Sequence, residues 1–233
     1  MDIEEYAKKY QQFYKGEISQ LLLKYLESEK WGKFLDLGCG DGSLLYKLNE
    51  ECFFKNKDVY AIDLSSKRIG LVKRINKKFK CFIDDACEIR SINDSYIDFV
   101  VSNMVIEHVP SDGDMIKEIR RILKSGGLLY LSTVFKRWYG WYFYRCNGKW
   151  VLDPTHLREY TNDSQLLRIL QKNNFDILEN KKTQSTRSII NNLILSKISN
   201  NREITNNFII GLLEKVKIPI IGYYKWEIVC RKG

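Results

Sequence analysis

No apolar run in this 233-residue sequence approaches the ~18 residues that a membrane-crossing helix needs. The nearest stretch, Phe208 to Ile221, is interrupted by Glu214, Lys215 and Lys217. The opening Met1-Asp2-Ile3-Glu4-Glu5 lacks the basic-then-apolar pattern of a secretory leader. Six cysteines (39, 52, 81, 87, 146 and 230) include no C-x-x-C pair and no metal-like cluster, so reduced thiols in a cytoplasmic protein are expected. Internal repeats and low-complexity linkers are absent, which leaves one domain over residues 1–233 as the expected organisation. Histidine is scarce: only His108 and His156 are present, so any imidazole chemistry depends on these two.

What is present centres on Lys33-Phe34-Leu35-Asp36-Leu37-Gly38-Cys39-Gly40-Asp41-Gly42-Ser43-Leu44-Leu45. A short apolar run of buried-strand type ends in an acid, three glycines follow at alternate positions, and a helical pattern begins at once. The glycines allow a sharp turn and close approach of the backbone to a ligand. An α/β sheet presents nucleotide-like ligands in this way, at the carboxyl end of its first strand. The dinucleotide fingerprint G-x-G-x-x-G would require glycine at position 43, where this chain has Ser43. The spacing is instead D-x-G-x-G-x-G. Two further apolar strands ending in acids follow, Val59-Tyr60-Ala61-Ile62-Asp63 and Cys81-Phe82-Ile83-Asp84-Asp85-Ala86, the first ending 21 residues after Gly42.

These segments, in this order, resemble the class I S-adenosylmethionine-dependent methyltransferases over roughly residues 30 to 180. Ile97 to Val109, with Glu107-His108-Val109 at its end, is similar to the family's fourth strand and following turn. Ile119 to Gly127 and Leu128 to Val134 are similar to its next helix and strand, with Ser125 where the family usually has proline. The resemblance implies an α/β fold with a doubly wound, seven-stranded, mostly parallel sheet whose last strand is antiparallel. It implies S-adenosyl-L-methionine as cofactor, held by Asp36, Gly38, Cys39 and Gly40 in the first motif. Asp63 and Leu64 follow at the ribose, Asp85 and Ala86 at the adenine, and Ser102 and Asn103 at the end of the fourth strand. His108 and His156 are the candidate catalytic bases, since both fall in segments facing the carboxyl ends of the strands. No metal is expected. The quinone-ring subgroup carries another glutamate three residues before its Glu-His pair, and here that position is Met104.

The acceptor is less legible. Residues 1–30 are expected to form a helical cap over the cofactor, with Tyr6, Tyr10, Phe13 and Tyr14 near one face. Residues 136–160 form an acceptor-side segment with seven aromatics between Lys136 and Trp150, and 185–217 a helical insertion. A small hydroxylated molecule, such as a sugar, is the expected acceptor, with an amine as the alternative. A net charge of +9 and seven basic residues from Lys67 to Lys80 raise the question of nucleic acid. No RNA-binding module accompanies them, and a solvated helix face explains them. Peripheral membrane contact through the aromatic segment and a homodimer surface on the insertion stay open as alternatives.

Overall fold

A computed structural model describes residues 18–146, 148–188 and 217–233. Helix α1 (Gln20–Ser28) leads into strands β1 (Lys33–Leu37), β2 (Asp58–Asp63), β3 (Lys80–Ile83), β4 (Ile97–Asn103) and β5 (Leu123–Lys136). Helices α2 (Ser43–Glu50), α3 (Ser66–Ile75) and α4 (Asp112–Ile122) lie between them. A short hairpin follows, β6 (Tyr144–Cys146) and β7 (Lys149–Val151), then helix α5 (Asp163–Lys172) and two long strands, β8 (Phe175–Ser188) and β9 (Lys217–Lys232).

Local chemistry sets the helix starts. Ser19, Ser65, Ser111 and Asn162 each accept a backbone N–H of the first turn, and Asn162 and Gln165 complete a reciprocal capping box. In α4 the acids Asp112 and Asp114 sit in the first turn and Arg120 and Arg121 in the last, matching the helix dipole.

Seven strands form one sheet in the order β3-β2-β1-β4-β5-β9-β8. Strand β1 is parallel to both β2 and β4, and the order reverses between them, the position beyond whose carboxyl ends open α/β sheets bind ligands. Strand β9 runs antiparallel to β5 and β8. Successive residues of a strand point to opposite faces, so each sheet face has its own apolar layer. Phe34, Ala61 and Phe99 pack with the inner sides of α1, α2 and α3. Leu35, Leu37, Ile62 and Val100 pack with Met115, Ile119, Leu166 and Leu170 of α4 and α5.

The expected helical character of 185–217 does not hold at its ends. Residues 185–188 continue β8 and Lys217 begins β9, paired as Thr186↔Pro219, Arg187↔Ile218 and Ser188↔Lys217. The segment is polar and lies on an edge strand, so it carries no apolar alternation, and pairing with β9 decides its state. Residues 189–216, and residues 1–17 of the expected cap, lie outside the described residues. The described cysteines with described side chains, 39, 52, 81, 87 and 230, are unpaired. Among the described residues no helix is long and apolar enough to cross a membrane.

Candidate active site

Beyond β1, Gly38 and Cys39 both donate their N–H groups to the Ile62 carbonyl, at 2.8 and 2.9 Å. Gly38, Gly40 and Gly42 all have positive φ, at 74, 56 and 83°. A Cβ at Gly38 would lie 2.4 Å from a Val105 methyl carbon, and one at Gly42 would lie 2.5 Å from Cδ1 of Ile75. A Cβ at Gly40 would meet nothing within 4 Å. The outer glycines therefore serve close packing, and the middle one borders open space.

Buried carboxylates stand at the strand ends beside this loop. Asp36 is buried, its Oδ2 has no hydrogen-bond partner, and burial together with the Asp63 charge pushes its carboxyl up to about 7. On the adjacent strand β4, the buried Ser102 Oγ is also unpartnered. The orphaned Asp36 carboxyl, at the base of the glycine loop, fits the polar end of a cofactor, whereas Ser102 lies on the opposite face of the sheet. Asp63 pins the loop: Oδ2 accepts from Gly40 N–H and Oδ1 from Ser65 N–H, both at 2.9 Å, with Arg68 Nη1 3.9 Å away. A carboxylate has about four lone-pair sites, so acceptor capacity is left for a ribose diol.

Leu64 and Ile83, at the carboxyl ends of paired strands β2 and β3, are 49% and 60% exposed and present an apolar ledge for a planar base. The two acids that follow divide their roles. Asp84 accepts from the N–H groups of Asp85, Arg90 and Ser91 and organises its own loop. The Asp85 carboxylate accepts from Cys87 N–H, at 2.8 Å, beside the buried Ala86. Cys39 is buried, and burial holds its thiol well above the ordinary value. Asn103 is exposed, with Oδ1 accepting from Ser132 Oγ at 2.5 Å.

The acceptor side is assembled by a clamp. Arg158 Nη1 donates to the carbonyls of Ile106 and Val109 at 2.6 and 2.7 Å, and Nη2 donates to that of Pro110. Leu157 and Arg158 donate their N–H groups to the Glu107 carbonyl. This fastens the 153–160 turn to the loop after β4 and brings the two histidines together, with ring centroids 4.8 Å apart.

Their surroundings differ. Thr155 Oγ1 donates its proton to Asp153 at 2.6 Å, so at 3.1 Å it accepts from Nδ1 of His108. Burial, with the neighbouring His156, lowers His108 to about 4. His156 Nδ1 lies 2.9 Å from Oε1 of Glu159, and both side chains are buried. A carboxylate can only accept, so Nδ1 carries the proton and Nε2 the lone pair. Glu159 is itself held by Leu152 N–H at 2.6 Å, with Lys136 Nζ 3.9 Å away.

Glu107 is fully buried; burial raises its carboxyl to about 7, Oε2 accepts from Thr133 at 3.0 Å, and Oε1 is unpartnered. One ligand atom from each of Glu107, His108 and His156 lies within 4.8 Å of the others, a spacing that a single cation would span.

Both histidines are legible as site candidates in the sequence, whereas Glu159 and Arg158 are not. The i, i+3 spacing of His156 and Glu159 is the only sequence signal for the pair. In the aromatic segment Tyr142 is buried, whereas Trp138 and Phe143 are 91% and 70% exposed. Packing of Gly140 against Gly222 and the bond from Arg137 N–H to the Gly222 carbonyl hold this segment to β9.

The SpnF [4+2]-cyclase structure superposes with a TM-score of 0.61 at 19% identity, covering 91% of this chain and 78% of that one. A geranyl diphosphate C-methyltransferase from Streptomyces coelicolor gives 0.61 at 13% identity, covering 92% and 76%. Likenesses at these identities show the fold alone, and the two proteins' names describe different reactions. In sequence, a ubiquinone biosynthesis O-methyltransferase of Pelagibacter ubique is 31% identical over 152 residues, 62% of this chain and 62% of that protein. The chain thus spans about three fifths of that relative's length. A family model described as a methyltransferase domain matches residues 6–180. With that match lying over the glycine loop, the strand-end acids and the histidine turn, the chain belongs to the class I S-adenosylmethionine-dependent methyltransferase family.

Proposed function

We propose that this chain transfers the methyl group of S-adenosylmethionine to a hydroxyl of a small molecule, with His156 as general base. The observation that carries the reading is the buried His156–Glu159 pair at 2.9 Å. Bound cofactor supplies a methyl already activated on sulfonium sulfur, so the protein's task is to hold the acceptor in line and remove its proton. An amine acceptor needs little help with deprotonation. A hydroxyl does, and a positioned base contributes ~10²–10⁴-fold. Glu159 fixes the tautomer that leaves Nε2 basic and stabilises the imidazolium formed when the proton arrives. His108, held neutral by burial, orients the acceptor by hydrogen bonding.

The name of the Pelagibacter relative, an O-methyltransferase, supports an oxygen acceptor. Aromatic side chains around the mouth suit a ring-shaped polyol or another hydroxylated biosynthetic intermediate. The test is incubation of a metabolite extract with the protein and methyl-labelled cofactor, followed by untargeted mass spectrometry. Label on an oxygen of a small molecule is expected; label found only on nitrogen, protein or RNA would refute the reading.

A further inference from the structure

Several cations border the aromatic segment, and of these Lys136 stands 3.9 Å from Glu159. Elsewhere the arginines Arg90, Arg121, Arg158 and Arg231 each have a carboxylate within 4 Å. Three others lie over aromatic rings: Arg137 over Tyr224 at 5.8 Å, Arg145 over Trp150 at 4.2 Å and Arg187 over Tyr142 at 5.2 Å. Among the described residues none of these three has an acidic partner within ion-pair distance. Arg137 and Arg145 are exposed, where solvent compensates them. Arg187 is not: it is partly buried, and burial alone lowers its affinity for its proton. A partly desolvated cation without an anion costs stability unless a ligand supplies one.

Arg187 is also tied to the reaction site. Its platform, Tyr142, packs with Val134, Tyr223, Met104 and Leu152. Met104 is the first residue after β4, three before Glu107, and Leu152 N–H donates to Glu159, the partner of His156. The apolar cluster under the guanidinium thus includes Leu152, whose N–H holds the carboxylate that partners His156. A guanidinium set over a ring keeps N–H groups for a forked contact with a carboxylate or phosphate.

We propose that Arg187, laid on Tyr142, anchors an acidic group of the methyl acceptor, which makes the acceptor an anionic hydroxylated small molecule. The proposal rests on the small-molecule reading above and narrows it to a charge class. Calorimetric titration of the full chain, saturated with S-adenosylhomocysteine, tests it with matched probes: glucose 6-phosphate against glucose, and benzoate against benzyl alcohol. At least one charged member should bind ~10-fold or more tightly than its neutral partner. Arg187→Met should abolish that preference and Arg187→Lys keep part of it, both with unchanged S-adenosylhomocysteine affinity as proof of folding.

Equal binding within both pairs, no charged probe bound up to ~10 mM, or a preference that survives Arg187→Met would overturn the proposal. Phosphatidylglycerol–phosphatidylcholine vesicles form the last arm. Vesicle binding lost in Arg187→Met, without preference among the soluble probes, would assign the arginine to a lipid surface and also overturn it. The titrations involve no turnover, so an error in the base assignment leaves their outcome unchanged.

Discussion

Asp36→Asn should flatten the pH dependence of stability of the ligand-free protein. Asp36 is buried at the end of β1, beside the negative charge of Asp63, and its carboxyl rises from 3.8 to about 7. At ~1.4 kcal/mol per unit, keeping it ionised in the folded state costs about 4 kcal/mol relative to the unfolded chain. The native state binds the extra proton between those two values. Its favourable contribution is thus fully present below the unfolded value and lost as pH rises through the folded value, with a slope of ~1.4 kcal/mol per pH unit. Glu107, raised from 4.5 to about 7 by burial, adds a second contribution of the same sign. His108, lowered from 6.5 to about 4, contributes with the opposite sign, so the wild type should lose about 1.4 kcal/mol per pH unit from about pH 4.5 to about pH 6.5. In Asp36→Asn the Glu107 and His108 contributions nearly cancel, so the slope should fall close to zero across that window. Urea unfolding followed by tryptophan fluorescence across this range measures it. A variant with the wild-type slope would refute the assignment of a buried, proton-binding Asp36.

The glycine loop makes a paired prediction. Gly40→Ala should fold with a loss of about 1 kcal/mol from its positive φ, yet lose cofactor affinity because its methyl enters the open space. Gly38→Ala should lower the melting temperature more, since its methyl meets Val105. Thermal melts with and without S-adenosylhomocysteine separate the two effects, and equal melting losses would count against the assignment. Glu159→Gln, which keeps the shape but removes the charge, should lower kcat ~10-fold or more with acceptor KM little changed. An unaltered kcat would remove Glu159 from the account.

Much of this site is legible in the sequence because its parts are local. Asp36 and the glycines lie within seven residues, and each strand-end acid directly follows its own apolar run. Any chain that folds these runs into a parallel sheet must bring their ends together, so the positions of Asp63 and Asp85 follow from strand order. Glu159 and Arg158 are different. Their roles depend on the 153–160 turn docking on the Glu107 carbonyl, a contact about fifty residues away in sequence with no periodic signal. Strand β8 is hidden for a related reason. From Asn180 to Ser188 it is polar, and its state follows from pairing with β9, whose pattern is legible only from Tyr223 onward. Arg187 reads in sequence as one more cation in a chain of +9; only its burial against Tyr142 distinguishes it.

The most direct test of the account compares His156→Ala with His108→Ala in single-turnover methyl transfer to the acceptor identified by labelling, across about pH 6 to 9. His156→Ala should lower the rate ~10²-fold or more with S-adenosylhomocysteine affinity intact, and His108→Ala should lower it less. Wild-type rates in His156→Ala throughout that range would contradict a histidine-assisted hydroxyl methylation.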